Sequence, residues 1–158
     1  MTTTLATTIE ADPTVPAVRI TREFDATPAA VFRAHVDPEL VVQWLGPRRL
    51  TMTLQHWDAR TGGAYRYTHV GEDGTEHHFL GSFHEVRRDE RIVQTFAYVP
   101  FADQVALEIV TFTELPGGRC RLEGFSLFGS FEGRDAMLAS GMEEGVVQGY
   151  ERLDEVLS

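Results

Sequence analysis

The sequence predicts an α+β fold: a curved antiparallel sheet of about six to seven strands with two short helices and a long C-terminal helix packed across it. Three observations predict it. Polar and apolar residues alternate with period two near the start, hairpin punctuation fills the middle, and a helical period returns over Gly133 to Leu157.

The elements follow in order. From Ala17 to Asp25, Val18, Ile20, Arg22 and Phe24 alternate with Arg19, Thr21 and Glu23, the pattern of a strand with one wet face. Thr27 and Pro28 then read as an N-cap and first helical residue, after which Val31, Phe32 and His35 share a face. Asp37 and Pro38 repeat that start signal for a second short helix carrying Leu40, Val41, Trp44 and Leu45, and Gly46-Pro47 stops it. Strands are expected over Thr51 to Asp58, Ala64 to Val70, Glu76 to Arg87, Ile92 to Val99, Val105 to Leu115 and Arg119 to Phe128. Gly62-Gly63, Gly71 to Gly74 and Pro116 to Gly118 mark turns between them, and the connections are too short for crossover helices. In the last segment Leu138, Met142, Val146, Leu153 and Val156 fall on or near one face, while Gly141, Gly145 and Gly149 repeat every fourth residue. Glycine costs about 0.5–1 kcal/mol mid-helix, so the stripe predicts close backbone approach to a facing sheet, with room beside it.

Composition sets the limits. The 158 residues carry 24 acidic and 14 basic side chains, a formal net charge of -10, and every basic residue is arginine. Such a surface repels nucleic acid and anionic membranes. The single cysteine, Cys120, excludes an internal disulfide and a four-cysteine zinc site. Residues 1–16 read as a flexible leader and 17–158 as one domain. No run approaches a membrane span, and the expected compartment is the cytoplasm.

No phosphate-binding loop, nucleophile elbow or metalloprotease signature is present, so reacting groups, if any, are dispersed over strands. His69, His77, His78 and His84 crowd one region, but His77 and His78 point to opposite faces of a strand, and neither a metal nor a cofactor is expected. Tyr65, Tyr67 and His69 line one strand face; Phe79, Gly81, Phe83 and Glu85 line the next. If both rows face the terminal helix, the interior suits a flat, partly apolar ligand; a filled aromatic core is the alternative. Trp44, Phe96, Tyr98, Phe112 and Met142 complete the expected lining. Glu85 directed into that interior would have a raised pKa and act as an acid or base; directed outward it is a solvated strand residue. Asp58, Arg60, Gly62 and Gly63 read as an ion pair holding a turn, or as a charged gate.

The run Phe24-Asp25-Ala26-Thr27-Pro28-Ala29-Ala30-Val31-Phe32, with Trp44-Leu45-Gly46-Pro47, resembles the opening of the heat-shock-protein ATPase activator-like family of the START-like, helix-grip superfamily. Asp58 to Gly63, Gly81 to Val86 with Glu90 to Val93, and Gly141 to Gly145 with Tyr150, Leu153 and Leu157 are similar to its later motifs. Leu45 and Gln94 depart from it, standing where a second tryptophan and an aromatic are frequent. The resemblance implies the helix-grip fold and a choice of activities. The first is a binding module for a small hydrophobic or aromatic molecule. The second is a metal-free, polyketide-cyclase-like or hydrolase-like enzyme using Glu85, His69, Tyr67 or Arg60. The third is a chaperone-associated interaction domain connected with stress. A homodimer paired through an edge strand or apolar patch is compatible with each.

Overall fold

The computed structural model describes residues 5–158, so the first four residues of the expected leader lie outside it. Its elements run β1 (Thr8–Ala11), β2 (Ala17–Phe24), α1 (Pro28–Val36), α2 (Pro38–Val41), β3 (Leu50–Trp57), β4 (Ala64–Gly71), β5 (Glu76–Arg87), β6 (Arg91–Tyr98), β7 (Ala106–Leu115), β8 (Arg119–Leu127), α3 (Phe131–Ala139) and α4 (Met142–Leu157). The strands form one antiparallel sheet in the order β1-β2-β8-β7-β6-β5-β4-β3.

Both helix starts behave as the sequence indicates. The Thr27 hydroxyl accepts the Ala30 N–H at 3.2 Å, and the Asp37 carboxylate accepts that of Glu39 at 2.9 Å, each followed by proline at the first helical position. The second helix is shorter than expected. It ends at Val41, and the chain then turns until Gly46, at φ 98°, reverses it into β3.

Two expectations need correction. The sheet has eight strands, because part of the leader is β1, with Ile9 opposite Ile20 and Ala11 opposite Val18. The Asp12 carboxylate fastens the turn to β2 by accepting the Thr14 and Val15 N–H groups and the Thr14 hydroxyl, bonds that hold it well below the usual carboxylate range. Threonine-rich composition suggested a leader, but β-branched Thr7, Thr8 and Ile9 suit an edge strand. The long terminal helix is also two. Gly141, left-handed at φ 93°, breaks the helical path between α3 and α4.

The glycine stripe of α4 serves the backbone alone. A Cβ on Gly149 would lie 3.2 Å from the Trp44 carbonyl oxygen, and one on Gly145 would lie 3.4 Å from the Pro47 ring. The close approach is therefore to the Trp44–Pro47 segment rather than to the sheet, and it leaves no room for a ligand there. Further bonds fix this edge: Arg152 donates to the Gly46 and Pro47 carbonyls at 3.3 and 3.4 Å, and Arg48 pairs with Glu155 at 2.7 Å.

The opposite edge is held by a buried ion pair. Arg22 on β2 is 1% exposed, lies over the Phe24 ring, and donates to both carboxylate oxygens of Asp154 on α4 and to the Glu23 carbonyl. Around it Phe24, Phe32, Phe112, Leu122 and Leu153 form the core where α1 and α4 meet the sheet. Each such side chain contributes about 1.5–3 kcal/mol by leaving water.

Candidate functional site

Antiparallel register decides which side chains meet beneath α4. On β4 and β5, Tyr65 stands opposite Gly81, Tyr67 opposite Phe79 and His69 opposite His77, so these six share the inward face. Phe83 opposite Gln94 and Phe79 opposite Tyr98 extend that face onto β6. Gln94 in turn pairs with Glu108, and Glu108 with Ser126. A polar row thus crosses β6, β7 and β8 in an interior otherwise built from aromatic rings.

The row is hydrogen-bonded. Gln94 Nε2 donates to Glu108 Oε1 at 3.2 Å and to the Tyr65 hydroxyl at 3.3 Å; the Ser126 hydroxyl donates to Glu108 Oε2 at 3.2 Å. Tyr65 passes its own proton to the Thr95 carbonyl at 2.6 Å. Burial pushes the Glu108 carboxyl above its ordinary pKa, against the smaller opposing effect of the Ser126 and Gln94 bonds. Burial also raises the phenols of Tyr65, Tyr67 and Tyr150, and the Glu108 charge adds to each.

The phenols of Tyr67 and Tyr150 bond no protein group among the described residues. Neither is among the sealed, partnerless polar atoms, which are Arg22 Nε, His69 Nε2 and Arg91 Nε. Glu108, Gln94 and Tyr150 themselves keep part of their surface accessible. The two phenol oxygens therefore keep some accessible surface, and the polar row beside them is only half-buried.

Tyr65 reaches the row because residue 81 is glycine. A Cβ there would clash with the Thr95 carbonyl oxygen and would meet the Tyr65 hydroxyl at 2.5 Å. Gly81→Ala should accordingly displace the ring and break its bond to Thr95. An expected loss of about 1–3 kcal/mol, read by urea denaturation, would come with an altered near-ultraviolet tyrosine signal.

The expected site residues divide. Tyr65, Tyr67, His69, Phe79, Phe83, Phe96 and Tyr98 belong to the inner wall, where Phe79 stacks between Tyr67 and Phe96 at centroid distances of 5.1 and 5.4 Å. His69 is squeezed against Gly46, and burial lowers its pKa to about 4, so it is neutral at pH 7. Met142, half-buried, opens α4. Trp44 and Phe112 sit in the core instead: Trp44 donates to the Ala34 carbonyl at 2.8 Å, and Phe112 packs edge-on against Phe32 and His35. His77 faces inward beside the Tyr98 hydroxyl, whereas His78 pairs outward with Thr68 and Glu76, and His84 is exposed.

Glu85 does not face the interior. A bulge between Phe83 and Glu85 shifts the register, setting Glu85 opposite Val93 while Val86 and Ile92 take the inner positions. Its carboxylate pairs with Arg87 at 2.8 Å and Arg91 at 3.5 Å on the outer surface. Arg60 is likewise outside, 78% exposed and bonded to Asp58 at 3.0 Å in the turn that Gly62 and Gly63 close. Of the four candidate acid–base groups, only Tyr67 and His69 remain within.

Glu108, Ser126, Tyr150 and Trp57 were missed. Trp57 donates to the Val36 carbonyl at 2.8 Å and packs on Tyr65 and Phe83, closing the interior at the α1 end. A signal for Glu108 did exist: Ala106, Glu108, Val110 and Phe112 alternate on one strand, so an inward Phe112 carries Glu108 inward too.

Two hollows lie apart from this interior. One, of about 280 Å³, is lined by Thr53, Gln55, Arg66, Thr68, Glu76 and His78 on the outer face of β3 to β5; the other, of about 250 Å³, borders Leu5 to Thr8 and Thr21 to Glu23. Both are open to solvent and hold no aromatic wall. Beneath α4 most of the volume is taken by the rings themselves. Among the described residues no three His, Cys, Asp or Glu side chains converge as a metal would need, and no helix is long and apolar enough to cross a membrane.

The same architecture recurs in solved structures. A protein from Arthrobacter aurescens is 26% identical with a TM-score of 0.88, over 95% of this chain and 90% of that one. A Rhodobacter sphaeroides protein is 25% identical at 0.85, over 95% and 97%. Protein Ms6760 from Mycobacterium smegmatis is 25% identical at 0.84, over 98% of both chains. No curated protein matches the sequence. Residues 25–158 match the model of the activator of Hsp90 ATPase homolog 1-like proteins, and the chain belongs to that family.

Proposed function

We propose that the protein binds a small, largely apolar molecule between the sheet and α4. One observation carries this reading: on an inner face lined by aromatic rings, the Glu108 carboxyl is only half-buried, and the phenols of Tyr67 and Tyr150 are neither sealed nor bonded to a protein group among the described residues. Concave, mostly apolar sites with a few converging polar groups are what small-molecule recognition requires.

Room for the ligand comes from movement. The C-terminal half of α4 is anchored by Leu153, the Arg22–Asp154 pair and the Arg48–Glu155 pair. Among the described residues, its first turns carry no ion pair closer than the exposed Arg49–Glu144 approach of 3.9 Å and are held by the Gln148 side chain, which accepts the Arg48 N–H at 2.9 Å. A bound molecule displaces rings beneath these turns and then orders them.

A panel of flat apolar molecules tests the reading. Binders should raise the melting temperature, slow amide exchange over residues 142–148, and change Trp44 fluorescence through Tyr150, which stacks on it at 6.0 Å. A panel producing none of these changes would count against ligand binding.

A further inference from the structure

Glu108 is a half-buried acid on the inner face of the sheet with no ion-pair partner among the described residues. Its two oxygens accept from Gln94 and Ser126, both neutral, and no arginine or histidine makes an ion pair with it among the described residues. Arg22, the guanidinium buried in the same interior, is committed to Asp154 and to the Glu23 carbonyl. Buried charges elsewhere in proteins are paired or neutralised. Among the described residues no such pairing group is supplied.

The surroundings suit a cation. Gln94 joins the carboxyl to the Tyr65 hydroxyl, Tyr67 stacks on Tyr65 with ring centroids 5.9 Å apart, and aromatic faces attract cations. The phenols of Tyr67 and Tyr150 offer free oxygen acceptors to an N–H group. The formal net charge of -10 adds a field that draws positive ligands toward the protein.

We infer that the molecule bound beneath α4 is an organic cation, a small and largely apolar amine or protonated nitrogen heterocycle. Its N–H donates to Glu108, and its hydrocarbon part lies among the rings of Tyr65, Tyr67 and Tyr150. This assignment rests on the binding function proposed above.

A matched pair of probes tests it on the full chain: 2-naphthylmethylamine, charged at pH 7, and 2-naphthylmethanol, its neutral counterpart of the same size. Titration calorimetry of the unaltered protein should give the amine an affinity at least about tenfold higher. In Glu108→Gln the preference for the amine should be lost, the two affinities falling to within about twofold of each other. Equal affinities on the unaltered protein would overturn the cation assignment and leave small-molecule binding standing. An amine preference that survives in Glu108→Gln also overturns it, by placing charge recognition elsewhere. If the unaltered protein binds neither probe, both the assignment and the reading beneath it fail. The comparison on the unaltered protein needs no variant to fold, so a misfolded Glu108→Gln cannot obscure the result.

Discussion

Asp154→Ala is expected to lower the unfolding free energy by about 3 kcal/mol, the low end of the range for breaking a buried ion pair. The loss comes from what is left behind. Without Asp154 the Arg22 guanidinium, with no exposed side-chain surface, keeps only the Glu23 carbonyl and the Phe24 ring as partners, and its Nε has none already. The estimate stays low because the Asp154 side chain is 38% exposed, so water can reach the orphaned group. The reciprocal change, Arg22→Met, should cost less, since it leaves a wetted carboxylate beside a well-filled core. Urea denaturation of both variants gives the comparison. If Arg22→Met proves the more damaging, packing rather than charge holds this edge of α4.

Glu108→Gln should raise the stability of the free protein at pH 7 by about 1–3 kcal/mol, by removing an ionisable group from an interior that offers it no countercharge. The sign follows from linkage. Burial raises the folded-state pKa of Glu108 above its ordinary 4.5, so its contribution to stability is fully present below that value and is lost as pH rises through the folded-state value. Wild type and variant should therefore agree near pH 4 and diverge upward. The phenols that its charge influences, Tyr65, Tyr67 and Tyr150, stay neutral across that window because burial raises them as well. His35 and His69 act in the opposite sense. Burial lowers each from 6.5 to about 4, so both destabilise the fold as pH falls through that interval, and both cancel in the difference between the two proteins. Parallel melting curves at pH 4.5 and pH 8 are the measurement. A Glu108→Gln protein no more stable than wild type at pH 8 would mean that the carboxyl is solvated or already compensated.

The two predictions describe opposite halves of one design. Arg22 and Asp154 compensate each other and fix the C-terminal half of α4, whereas Glu108 has no ion-pair partner among the described residues.

How much of this was legible depends on the range of the interactions involved. The caps at Thr27 and Asp37, the hairpin glycines, and strand limits such as Glu76–Arg87 and Arg119–Leu127 follow from rules acting over a few residues. The rows Tyr65-Tyr67-His69 and Phe79-Gly81-Phe83 could be assigned to one face from alternation alone. Glu85 could not, because a bulge one residue earlier reverses every side chain beyond it and leaves no local trace in the sequence. Thr8–Ala11 escaped for a related reason: a short edge strand is stabilised by its partner, and nothing within it announces that β2 will be beside it.

The sequence by itself determined the α+β order, the antiparallel sheet, the acidic surface and the aromatic character of the interior, since composition and short periodicities are properties of neighbouring residues. The tertiary structure alone decided that Gln94, Glu108 and Ser126 lie abreast, that Tyr150 stacks on Trp44, and that the helix glycines are consumed by the Trp44–Pro47 segment. Those decisions depend on strand register and on where two distant backbones touch, and each is set by contacts between residues far apart in the chain.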